Sequence, residues 1–142
     1  MKPSTGGGFD AGTTLIEALV VVAITALVSL IGFPRLQQGI TRLSQRQTVS
    51  AVAERLREAR AGALRGDRPT TFQVAANGRA YGWSGGRRWG VPPGIAVGPG
   101  GGSISFFADG SSNGGAVWIL AGRRPLYVQV APATGAVALG PK

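Results

Sequence analysis

Residues 13–33 read TTLIEALVVVAITALVSLIGF, an apolar run interrupted by a single carboxylate, Glu17. A helix needs about 20 such residues to cross a bilayer, so this run is long enough to span one. A carboxylate at the centre of a span costs about 2.5–3.5 kcal/mol, and less towards its end. Keeping Glu17 there implies a partner for it.

The residues before the run, MKPSTGGGFDAG, are mostly polar with one Lys. An ordinary secretory signal has an apolar stretch of roughly 7–15 residues followed by an A-x-A-like cleavage site. Here the stretch is longer, and Arg35-Leu36-Gln37-Gln38 beyond it offers no such site. The span is therefore expected to stay in the mature protein. Charge alone favours one orientation: only Lys2 and the terminal amine precede the span, whereas Arg35, Arg42 and Arg46 follow it, and the more basic flank tends to stay cytoplasmic.

The chain has no cysteine and no histidine, which removes disulfides, thiolate chemistry, the usual general base and the commonest metal ligand. Any serine lacks its customary base, so an enzyme is not expected, and no metal or other cofactor is expected either. With 15 basic against 6 acidic residues the net charge is +9. Such a balance fits nucleic acid, an acidic membrane or an acidic protein partner, and equally a surface on which Arg serves as solubiliser.

Beyond Pro34 a helical period continues. Leu36, Ile40, Leu43, Val49, Val52, Leu56, Ala59 and Ala63 recur mostly at steps of three and four, with Arg42, Arg46, Glu54, Arg55, Arg57 and Glu58 between them. This predicts an amphipathic helix whose apolar stripe lies on a sheet, supported at its surface by pairs such as Glu54 with Arg57. Pro34 removes one backbone donor and should bend the helix rather than stop it. Gly62, Gly66 and Pro69 are expected to end it. Glu54 and Glu58 share a face, but Arg residues interleave them and no third ligand is near, so they read as a solvated surface.

From Thr70 the pattern becomes short strands and turns. Strands are expected at Thr70–Ala75, Arg79–Trp83, Ser103–Phe107, Ala116–Ala121, Leu126–Val130 and Ala136–Leu139. Asn77-Gly78 marks a hairpin. The run Gly98-Pro99-Gly100-Gly101-Gly102 reads as a turn, and it lacks the Gly-Lys-Ser/Thr ending of a phosphate loop. Sequential strands of this kind argue for one antiparallel sheet or two small ones, with the helix stripe covering a face. Asp109-Gly110-Ser111-Ser112-Asn113-Gly114-Gly115 reads as a turn-rich loop, and one carboxylate there is too few for calcium.

Two stretches resemble known families. Gly12-Thr13-Thr14-Leu15-Ile16-Glu17 resembles the processing motif of type IV prepilins and type II secretion pseudopilins. The resemblance implies cleavage by a prepilin peptidase between Gly12 and Thr13 on the cytoplasmic side, N-methylation of Thr13, and a Glu at the fifth mature position, where Glu17 falls. Thr13 stands where that family usually has Phe. Pro34 matches the proline that kinks the family's helix. Phe107-Ala108-Asp109-Gly110-Ser111-Ser112-Asn113-Gly114-Gly115 and the strand after it resemble the GspH/FimT family of minor pilin-like proteins, as do Thr134-Gly135 and the closing strand.

Together these resemblances imply an α+β, pilin-like fold: a leader at 1–12, a membrane or fibre-core helix at 13–34, its amphipathic continuation at 35–68, and a periplasmic β domain at 69–142. They imply a structural subunit near the tip of the secretion pseudopilus, helping to drive folded exoproteins through the outer membrane. Its partners would be other major and minor pseudopilins, the peptidase and methyltransferase, the inner-membrane assembly platform, and secreted substrates. It would sit single-pass in the bacterial inner membrane with a cytoplasmic amino terminus, the orientation opposite to the one that charge alone favours. In a fibre, Glu17 would pair with the free terminal amine of a neighbour, each offsetting the other's desolvation. The alternative is a FimT-like minor pilin that binds DNA for natural transformation. The Gly-Arg-x-Arg stretch of such members falls here on Gly135-Ala136-Val137-Ala138, without either arginine. Arg87-Arg88 and Arg123-Arg124, with Trp83 and Trp89, form the remaining candidate basic and aromatic patch for DNA or a partner; the competing reading has the arginines as loop solubilisers and the tryptophans in the core.

Overall fold

The structure is a computed structural model that describes residues 14–140. The described residues fall into two compact units, the first ending at Gln37 and the second starting at Gln38. One helix, α1 (Leu15–Gly66), runs through both. It starts at Thr14, whose hydroxyl accepts the backbone N–H of Glu17 at 3.3 Å, the N-cap bond to the third helical residue. Within the apolar span, Thr25 and Ser29 donate their hydroxyls to the carbonyls of Val21 and Thr25, both at 2.7 Å. The span's hydroxyls thus need no outside partner, as a lipid environment requires. The large apolar side chains from Leu15 to Phe33 are all exposed. The helix continues through Pro34.

In the second unit, α1 buries one stripe: Gln45, Thr48, Val49, Val52, Ala53, Leu56, Ala59 and Ala63. These follow the 3.6-residue period, so one face meets the sheets while Arg42, Arg46, Glu54 and Arg57 stay outside. The helix passes Gly62, where the sequence suggested an end, and stops at Gly66. Gly62 has open space around it and simply stays helical. The true stop is Asp67, left-handed at φ 48°, with Pro69 two residues on.

Eight strands follow: β1 (Thr70–Val74), β2 (Ala80–Trp83), β3 (Arg88–Gly90), β4 (Ala96–Pro99), β5 (Ile104–Phe106), β6 (Gly115–Ala121), β7 (Arg124–Val130) and β8 (Val137–Gly140). They form two four-stranded sheets in the orders β3-β2-β1-β5 and β4-β6-β7-β8, and every pairing is antiparallel. The hairpin at Asn77-Gly78 joins β1 to β2, and Gly78 also gives its carbonyl to the N–H of Val97 at 3.0 Å, linking the turn to the second sheet. The core lies between the helix stripe and both sheets, with Leu56, Phe72, Ile104, Phe106, Val97, Val117, Ile119 and Val128 almost completely buried. Full burial of one such side chain contributes about 1.5–3 kcal/mol.

Two strands, β3 and β4, were not expected. β3 pairs with β2, placing Trp89 opposite Tyr81. β4 contains Gly98, expected in a turn. Gly98 pairs with Trp118, and a side chain there would overlap the Trp118 ring. The glycine is a strand residue that makes room for an indole. β7 starts at Arg124, two residues before the expected Leu126, and includes Pro125. Pro125 faces Leu120 on β6, whereas β8 joins β7 only from Tyr127. The missing N–H therefore falls where β7 has no second neighbour.

Candidate functional site

The first candidate site is the amino-terminal end of α1. Gly12 and Thr13, the expected processing residues, lie outside the described residues. Glu17 lies in the first helical turn. It is exposed, and among the described residues no cation comes within ion-pairing distance of its carboxylate. An acid near a helix amino terminus is favoured by the helix dipole.

The second is the loop after β5. Asp109 accepts both the backbone N–H of Ser111, at 2.9 Å, and its hydroxyl, at 2.6 Å. These bonds hold the Asp109 carboxyl below its usual range, the side-chain bond contributing most. Ser112 donates to the carbonyl of Ala131 at 3.1 Å and accepts from the N–H of Gly114 at 3.0 Å. Asn113 accepts from the N–H of Ser105 at 2.8 Å and donates to the carbonyl of Ser103 at 3.0 Å. The polar side chains of the motif are thus spent on the loop and its neighbours, which gives the motif an architectural job. Among the described residues no group of three metal-ligating side chains forms.

Two residues that sequence reasoning missed organise this domain. Arg60 of α1 donates its Nε to the carbonyl of Gly110 at 3.1 Å. Gly135, at φ 61°, packs against that same carbonyl and against the Arg60 side chain. Asp109-Gly110 and Thr134-Gly135 therefore meet at one arginine. Gln45, buried on the helix stripe, donates to the carbonyls of Ile119, at 2.9 Å, and Arg124, at 3.0 Å. It pins the β6–β7 turn to the helix. A glutamine in an otherwise apolar stripe was the available signal; Arg60 looked like any other surface charge.

The tryptophans come together, and inwards. Trp83 and Trp89 meet edge to face at 5.1 Å, and Trp89 stacks on Tyr81 at 6.2 Å. Both pack on the core. Arg55 lies 4.6 Å above Trp89 and forms two bonds to Glu58, at 2.6 and 2.7 Å. The Glu58 bond raises the Arg55 pKa, and burial raises that of Tyr81. Arg55–Glu58 thus replaces the expected Glu54–Arg57 pair, and Glu58 serves the helix surface. Arg87-Arg88 and Arg123-Arg124 lie on different sheets. Arg88, on β3, pairs with Gly82 near the Trp83 end of β2, while Arg123 and Arg124 form the exposed turn into β7.

A single helix laid on two antiparallel sheets, with an apolar exposed leading half, defines a pilin-like protein. Solved structures agree on the fold. The type IV minor pilin FimU of Pseudomonas aeruginosa has a TM-score of 0.59 at 16% identity, over 70% of this chain and 90% of that one. The minor pseudopilin EpsH from the type 2 secretion system of Vibrio cholerae has a TM-score of 0.56 at 12% identity, over 68% of this chain and 95% of that one. No family model matches the chain. It is 31% identical over 140 residues to type II secretion system protein H of Xanthomonas campestris pv. campestris, covering 92% of this chain and 83% of that protein. The chain belongs to the type II secretion system protein H family.

Proposed function

We propose that this protein is a minor pseudopilin of a type II secretion system, a subunit near the tip of a periplasmic fibre that helps move folded exoproteins across the outer membrane. Likeness to protein H over most of the chain carries the reading. The exposed apolar stretch of α1, long enough to cross a membrane, supports it as a single-pass anchor before assembly and a packing rod afterwards.

In this reading a peptidase removes residues 1–12 on the cytoplasmic side, Thr13 is N-methylated, and Pro34 bends the helix. The Glu17 carboxylate then pairs with a neighbour's terminal amine in the fibre. The β domain presents its surface to other pseudopilins, and the assembly platform handles the subunit in the inner membrane.

Two measurements test this. Intact-mass analysis of native protein should give a chain beginning at Thr13; a leader retained in working apparatus would overturn the processing scheme. Deleting the gene should abolish exoprotein secretion. Loss of transformation with secretion intact would instead make the protein a DNA-uptake pilin.

A further inference from the structure

The arginines of the second unit are not spread evenly. Gln45 binds the carbonyl of Arg124 at 3.0 Å, so the Arg123-Arg124 turn is fixed beside the helical turn that carries Arg42 and Arg46. Arg79 lines a cleft of about 330 Å³ together with Leu120 and Gly122, which places it at the same end. All five arginines are exposed. Among the described residues no carboxylate is within ion-pairing distance of any of them.

The acidic residues of this unit lie elsewhere. Glu54 and Glu58 are further along α1, Asp67 follows its end, and Asp109 sits in the loop held by Arg60. Five of the second unit's twelve arginines therefore share an end that carries none of its four acids, at the start of its own helical segment. That segment also exposes Ile40 and Leu43, 58% and 59% accessible, beside Arg42 and Arg46. Apolar side chains rimmed by arginines are the composition of a surface that sits at a lipid headgroup layer.

We propose that this face binds the anionic phospholipid headgroups of the membrane its own span enters. The proposal rests on residues 13–33 being inserted in a bilayer. Arg42 is only nine residues beyond Phe33, at most about 14 Å of helix at 1.5 Å per residue, so chain connectivity keeps the basic end near the membrane surface. Phosphate and arginine then attract over a range set by the Debye length, about 8 Å in physiological salt. Before assembly, the contact holds the β domain down on the membrane. Entering a fibre requires the face to be released.

The test uses the full chain in nanodiscs of phosphatidylcholine alone or mixed with phosphatidylglycerol. The chain has no native cysteine, so a single fluorophore can be placed at Ala76→Cys, in the turn beside Arg79, or at Ala133→Cys, in the Arg60 end as a control. Headgroup spin-labelled lipid quenches whatever it touches. Quenching at position 76 should rise roughly fivefold or more with phosphatidylglycerol, fall in high salt, and be lost in Arg42→Glu/Arg46→Glu/Arg123→Glu/Arg124→Glu. Position 133 should not respond. Equal quenching in both lipids, or a charge-reversed variant behaving as wild type, overturns the contact while leaving the anchor in place. Failure to incorporate through residues 13–33 overturns the anchor and the contact together. Gel retardation of DNA that needs the same arginines, without any lipid effect, assigns the face to nucleic acid and overturns the lipid proposal.

Discussion

Arg60 Nε lies 3.1 Å from the carbonyl oxygen of Gly110, and through that one bond the far end of α1 holds the loop between β5 and β6. Gly135, on the turn before β8, completes the contact because no side chain fits between it and that carbonyl. Two turns distant in sequence are thus clamped against the helix. Arg60→Ala should destabilise the domain by about 1.5–3 kcal/mol, the range for a bond from a charged donor. Gly135→Ala should cost at least about 2 kcal/mol, since a side chain at φ 61° is strained and meets the Gly110 carbonyl. Urea unfolding of both variants checks the pair, and additive losses in the double variant would show that the two act independently.

Gln45 performs the matching task at the other end. Gln45→Leu keeps the volume but leaves the carbonyls of Ile119 and Arg124 without its amide. The expected loss is about 1–3 kcal/mol, with faster hydrogen exchange in the β6–β7 turn. A variant as stable and as protected as wild type would mean that water replaces the amide at no cost.

The Asp109 carboxyl has its pKa lowered chiefly by the Ser111 hydroxyl and then by the Ser111 N–H. A depressed folded-state pKa stabilises the fold above the ordinary value of 3.8, and the contribution is lost as pH falls through the folded value. Wild type should therefore exceed Asp109→Asn in stability at neutral pH, and the gap should close in acid below about pH 4. Thermal melts of both proteins across this range supply the comparison; a gap that widens on acidification would reverse the assignment.

Glu17→Ala should leave the start of α1 intact, because Thr14 binds the Glu17 backbone N–H and not its side chain. Processing should continue, and fibre incorporation should fall, since an unpaired buried amine costs about 3–5 kcal/mol. Immunoblots for the processed chain, alongside a secretion assay, separate the two steps. Secretion at the wild-type level would remove the charge-pairing role.

The sequence determined what short-range physics controls. The span, the amphipathic stripe from Val49 to Ala63, the Asn77-Gly78 hairpin and most strands follow from periodicity and turn chemistry, which act over a few residues. Tertiary structure decided the rest. β3 and β4 lie among Gly- and Pro-rich residues that read as loops, and in β4 Gly98 leaves the room that Trp118 fills from the neighbouring strand. Trp83 and Trp89 pack on the core, one of the two readings the sequence left open, but only the fold shows that Tyr81 and Arg55 close around Trp89. Arg60 meets Gly110 across 50 residues and Gln45 meets Arg124 across 79. The placing of Arg123-Arg124 beside Arg42 and Arg46 follows from that second bond. Such contacts depend on which surfaces the fold brings face to face; Gln45 in the apolar stripe signals that a partner exists, but no local pattern along the chain names it.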